Sequence, residues 1–216
     1  MKPVKTKRVR ALLDIYGRTF CDELGIDIAA GTPSALFCWL VAALLFSARI
    51  RANAALSAAG ALFAAGWTTP EAMLAAGWEA RVRVLNRSGY ARYDESTSRM
   101  LGETCALLID RYGGDLGNLR AAANRNPAAE RDLLKAFKGI GEVGVDLFFR
   151  EVQPVWPELY PFADRRALKA AARLGLADDP AGLASLVDRA DFARLVAALV
   201  RVDLDKGYET IEAAAI

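Results

Sequence analysis

The sequence contains no histidine. That removes the commonest general base and the commonest metal ligand near neutral pH. It has only three cysteines, Cys21, Cys38 and Cys105, and no Cys-x-x-Cys spacing. Neither a zinc site nor an iron–sulfur cluster is therefore expected, and no metal or cofactor is assigned. Three scattered thiols suit a reducing compartment and read as small buried hydrophobes. Charge of one sign is also scarce: 28 basic against 26 acidic residues leave a net charge of +2. A polyanion partner would have to be met by local placement of charge. Long apolar runs are missing too. The most apolar stretch, ALFCWLVAALLFSA from Ala35 to Ala48, is shorter than the ~18–20 residues of a membrane span. Arg49 and Arg51 close it. It predicts a helix buried inside the fold and no membrane partner. The basic start MKPVKTKRVR is not followed by a signal-type apolar core, so a soluble cytoplasmic protein is expected.

What is present is a folding composition, 54% apolar and 25% charged. Alanine and leucine dominate and β-branched runs are short, which predicts an all-α protein. Helical spacing covers 7–24. GIDIAAGTP (25–33) is a connector, and Thr32-Pro33 reads as an N-cap with proline at N1. Further helices are expected at 52–65, 70–76, 78–88, 91–112, 115–123 and 128–137. QPVWPELYP (153–161) holds three prolines and cannot be helical throughout. Helices resume at 164–174, 180–188 and 190–202, and the tail EAAAI is expected to fray.

The stretch LKAFKGIGEVGVDLFF (134–149) places Gly139 and Gly141 between two apolar runs. A helical hairpin with glycine at the turn can point several backbone N–H groups outward, and the next helix adds positive potential. That is a cradle for an anionic oxygen such as a DNA phosphate. The alternative is a plain αα-corner with a glycine C-cap. Leu134, Phe137, Ile140, Val145, Leu147 and Phe148 would lock the two helices together. Asp164, 23 residues after Gly141, follows the proline stretch and precedes a helix. It fits an N-cap, and it also fits a carboxylate held over a binding site.

Together, LKAFKGIGEVGVDLFF and PFADRRALKAAARL resemble the helix–hairpin–helix and Gly/Pro/Asp signature of the endonuclease III and DNA glycosylase superfamily of base-excision repair. SALFCWLVAALLFSARI is similar to that family's buried helix ending in a Leu-Ser-Ala-Gln type sequence, with Arg49 at the glutamine position. The resemblance covers roughly Pro33 to Leu176. It implies a two-lobed all-α fold: a central lobe over 33–158 holding the hairpin (128–149), and a second lobe from 1–32 plus 159–216. It implies a phosphate grip, with Lys138, Gly139, Ile140, Gly141, Val143 and Gly144 at the DNA and a possible monovalent cation on the hairpin backbone. It implies double-stranded DNA with a damaged, flipped base as partner, for a monomer associated with the nucleoid. Asp164 falls on the family's catalytic aspartate. Bifunctional members carry a Schiff-base lysine where this chain has Val143, which implies monofunctional base removal. The family's four-cysteine cluster follows the aspartate, whereas no cysteine follows Cys105 here.

Arg49 and Arg51 are further candidates for DNA contact, with Arg81, Arg83, Arg87 and Arg92 as weaker ones. Tyr90, Trp156 and Tyr160 are candidates to line a base pocket; each also suits core packing. Arg165 and Arg166 are positioned to contact backbone or hold Asp164. Two competing readings remain: a helix–hairpin–helix protein that binds DNA without catalysis, with Asp164 serving only as a cap, and a helical scaffold that keeps the fold without binding DNA, suggested by the near-zero net charge and Glu142.

Overall fold

The computed structural model describes residues 3–215, and every regular element among them is helical. In order these are α1 (Pro3–Tyr16), α2 (Phe20–Leu24), α3 (Pro33–Phe46), α4 (Ala52–Ala64), α5 (Pro70–Ala75), α6 (Gly77–Leu85), α7 (Asp94–Tyr112), α8 (Leu116–Ala122), α9 (Pro127–Leu134), α10 (Glu142–Val152), α11 (Arg165–Arg173), α12 (Pro180–Ala184), α13 (Arg189–Asp205) and α14 (Tyr208–Ala214). Local chemistry sets many of the starts. Thr32, Thr69, Asn126 and Asp179 each accept a hydrogen bond from an N-terminal amide, and each is followed by proline in the first turn.

The chain divides into two units. One comprises the residues up to Glu23 together with those from Phe149 onward; the other is Leu24–Phe148. Both boundaries lie upstream of the 32/33 and 158/159 positions read from the sequence. The second falls inside α10, for a chemical reason. From Phe149 on, its side chains engage the chain ends: Phe149 meets Phe162 edge to face at 5.5 Å, Arg150 pairs with Asp164, and Glu151 takes the amides of Phe20 and Cys21.

In the middle unit, α3 is buried on every side from Ala35 to Leu45. A helix apolar all round belongs in a core, and each buried leucine there contributes roughly 1.5–3 kcal/mol. Its polar needs are met inside: Trp39 Nε1 donates to Phe148 O at 3.0 Å, and Tyr90 Oη donates to Leu45 O at 2.8 Å. In the other unit, α13 packs against both α1 and α11.

Three expectations change. The helix expected over 7–24 breaks at Gly17, and α2 starts anew on a capping box. Thr19 Oγ1 accepts from Asp22 N, and Asp22 Oδ2 accepts from Thr19 N. The segment 78–88 does not run on as regular helix. It passes after Leu85 into a wide turn over Asn86–Tyr90, where Gly89 takes φ +83°. The tail expectation changes for its first residues, which continue α14 to Ala214, with Tyr208 and Ile211 buried and Tyr208 Oη bonded to Asp203, while Ile216 lies outside the described residues.

Candidate nucleic-acid interface and carboxylate site

The Gly-Ile-Gly turn joins α9 to α10. Phe137 N and Ile140 N close tight turns onto Leu134 O and Phe137 O, which carries the chain round. Gly139 takes φ +90°, a conformation that L-residues rarely adopt. Leu134, Phe137, Ile140, Val145 and Phe148 form the small core under the turn, as their spacing predicts, while Leu147 is half-buried. The outer surface is open. A Cβ on Gly141 would meet nothing within 4 Å, and Val143 is 63% exposed. The amides of Gly141, Glu142, Val143 and Gly144 have no hydrogen-bond partner among the described residues. They are the free donors of a helix start, aimed with the positive end of the dipole. Gly144 itself is buried, and a Cβ there would stand 2.9 Å from Ser47 Oγ at the end of α3.

Charge around the turn is balanced rather than basic. Arg131 bridges Glu142 and Asp146, each at 2.8 Å, and Lys135 bridges Glu142 at 2.8 Å and Asp132 at 3.0 Å. Hydrogen bonds from Lys135 and Arg131 hold the Glu142 carboxyl below its ordinary range. Lys135 is raised in turn by its bonds to Glu142 and Asp132. Burial works against the charge of Arg131, but Asp146 and Glu142 outweigh it and its pKa rises. Glu142, which sits at the helix start, is thus neutralised by two cations. Lys138, Arg49 and Arg51 are exposed and have no carboxylate partner among the described residues.

Arg81 is corrected as a DNA-contact candidate, because it is buried. Its Nη1 donates to Met73 O at 2.7 Å, and its Nε donates to Ser98 O at 3.2 Å. It is a structural tie between α5 and α7. Arg83 pairs along its own helix with Glu79, and Arg87 and Arg92 are exposed.

In the other unit, Asp164 caps α11. Its Oδ1 accepts from Arg166 N at 2.8 Å and Ala167 N at 3.1 Å. Its Oδ2 accepts from Arg150 Nε at 2.7 Å, and Arg150 Nη2 lies 2.6 Å from the same oxygen as an ion pair. Asp164 is 6% exposed and Arg150 4%. Three hydrogen bonds and one further ion-pair contact surround the carboxylate. The residue holding the aspartate is therefore Arg150. Arg165 and Arg166 are both exposed, and Arg166 instead lies 3.7 Å from Asp203. Gln153 fixes the approach to the cap: its Nε2 donates to Arg150 O and Phe162 O, and its Oε1 accepts from Phe162 N.

The aromatic candidates differ in access. Tyr90 is fully buried, its hydroxyl is committed to Leu45, and burial pushes its pKa up to about 12. It is a core residue, not an open pocket wall. Trp156 is also buried. Tyr160 is half-buried, edge-on to Phe192 at 5.2 Å, with the Arg189 guanidinium 4.4 Å above its ring.

Sequence reasoning missed Arg150, Glu151 and Gln153. One signal was available. Arg150 and Glu151 sit between Phe149 and Val152 in an otherwise apolar stretch, and charges on a buried face require partners.

No family model matches the sequence, and no curated protein matches it. Among solved structures, the chain is similar to the protein in a trapped endonuclease III–DNA covalent intermediate, an estranged-adenine complex, at 20% identity. The match covers 76% of this chain and 71% of that one, with a TM-score of 0.48.

Proposed function

We propose that this chain is a DNA repair protein of the endonuclease III type. It binds damaged duplex DNA through the Gly139–Gly144 turn and hydrolyses the N-glycosidic bond of a flipped base, with Asp164 as the catalytic carboxylate. The observation that carries the reading is the turn itself. Free amides, an open Gly141 and the start of an 11-residue helix form an anion-binding surface on a well-packed hairpin.

In the reaction, water adds to C1′ of the sugar. The electron pair of the C1′–N bond leaves with the base, and a proton from the water ends on the base nitrogen. A carboxylate stabilises the positive charge developing on the sugar. Val143 stands where a Schiff-base lysine would be, so the reading is monofunctional, with the sugar–phosphate backbone left intact. Hydrolysis of this kind requires no cofactor.

The test is a panel of end-labelled duplexes carrying uracil, alkylated and oxidised bases, treated with and without hot alkali. Alkali-dependent breaks with wild type, absent with Asp164→Asn, are expected. Breaks without alkali would overturn the monofunctional reading. A second reading, DNA binding without catalysis, is favoured by the burial of Asp164 and its pairing with Arg150. It predicts salt-sensitive duplex binding and no break on any lesion.

A further inference from the structure

Building on the reading of Asp164 above, we propose that Arg150 is a positioning residue that keeps the site closed at rest: it must leave Oδ2 of Asp164 before that carboxylate can face a sugar. In the resting arrangement both oxygens of Asp164 are occupied: Oδ1 receives two backbone amides, and Oδ2 receives Arg150 Nε with Nη2 in ion-pair contact at 2.6 Å. Its charge is also cancelled. The Arg150 guanidinium sits directly on Oδ2, so little negative potential remains for an oxocarbenium-like sugar. The two contacts on Oδ1 are backbone caps and must persist for α11 to start where it does. The two on Oδ2 come from a single side chain, and one rotamer change removes both.

Arg150 is also incompletely satisfied. Its Nη1 is buried and has no hydrogen-bond partner among the described residues. A buried donor without an acceptor raises the free energy of the closed state. The acceptor chemistry that suits a guanidinium best is a planar carboxylate or a phosphate oxygen. A DNA phosphodiester therefore competes for Arg150 with an advantage: it can satisfy Nη1 as well as replace Oδ2. Damaged DNA would thus be both the substrate and the ligand that unmasks the carboxylate. Gln153 bonds the Arg150 and Phe162 backbones and not the Arg150 side chain, so the cap segment stays in place when the guanidinium moves.

The experiment compares wild type with Arg150→Lys in single-turnover excision on the same lesion panel, alongside binding to a duplex holding a tetrahydrofuran abasic analogue. Lysine keeps a cation near Asp164 but cannot reproduce the planar guanidinium contact on Oδ2. The expected result is an excision rate constant about tenfold higher with affinity for the analogue no tighter than wild type, a split that a purely structural role would not produce. An equal or lower rate in the folded variant, with wild type active, overturns this proposal alone. Absence of excision by both proteins, with binding retained, overturns the reading of Asp164 and this proposal with it. If Arg150→Lys does not fold, the arginine Nε–H resonance of wild type decides. A resonance that loses its contact with Asp164 when the analogue duplex is added supports the proposal, and one that keeps that contact in the complex overturns it.

Discussion

Gly139 lies so close to Met100 that a methyl group on its α-carbon would come within 2.8 Å of the Met100 sulfur. Gly141, two residues on, has nothing within 4 Å of the same position. The two glycines of one turn are therefore there for different reasons, and substitution separates them. Gly139→Ala forces a positive-φ alanine against Met100 and Leu44, and should cost ~1–3 kcal/mol in urea unfolding. Gly141→Ala should leave stability unchanged or raise it by up to ~1 kcal/mol. Its methyl group would stand in the path of a phosphate, so DNA affinity should fall while stability does not. Unchanged affinity in Gly141→Ala would remove the turn from the DNA interface.

Breaking the buried pair should be expensive. Arg150→Met leaves Asp164 charged and buried without its counter-ion, an expected loss of ~3–5 kcal/mol. Arg150→Met combined with Asp164→Asn should recover part of that loss, because the amide can still cap α11 and carries no charge. Denaturant unfolding of the four proteins in this cycle gives the coupling directly. Simple additivity would mean that the pair does not organise this region.

Arg81 makes the same kind of statement in the other unit. Its guanidinium satisfies Met73 O, Leu74 O and Ser98 with no solvent to replace it. Arg81→Ala should lower stability by ~3 kcal/mol without a specific effect on DNA affinity once the protein is folded. A selective loss of affinity, with stability intact, would return this arginine to the interface.

The Glu142 network gives a pH dependence on the acid side. Its folded pKa lies below the ordinary value of 4.5, so the unfolded chain takes up a proton first as pH falls. The stabilisation from Glu142 is therefore complete above 4.5 and is lost as pH drops through the lower folded value. Comparing wild type with Glu142→Gln by thermal melting should show a gap at neutral pH that closes in acid. A gap independent of pH would show that the carboxylate charge is not what matters.

Much of the fold is legible in the sequence where the signal is local. Thr32-Pro33 and Thr69-Pro70 start their helices by side-chain chemistry that needs no partner elsewhere. The unbroken apolar run of α3 has no polar face to expose, and the glycines of the hairpin mark its turn. What was not legible depends on distant chain. Arg150 reads as a surface charge until Asp164 is brought to it across a proline-rich connection. The tail reads as frayed because EAAAI carries no stop signal and no long apolar side chain but its terminal isoleucine. Its order comes from Tyr208 and Ile211, just upstream, which pack by tertiary contact. Arg81 interleaves with valines exactly as a solvated helix face would; only the carbonyls it meets reveal otherwise.

The two ends of the chain meet in one unit, and this sets an order of assembly during synthesis. Lys5 Nζ donates to Leu176 O and Arg8 Nη1 to Leu174 O, so the N-terminal helix caps carbonyls made more than 160 residues later. Residues 24–148 are complete long before those partners leave the ribosome and can close around α3 first. The first helix to emerge is thus the last to find its seat. A ribosome that stalls before α13 leaves α1 without the two helices it packs against, and such a nascent chain exposes apolar surface that the finished protein buries.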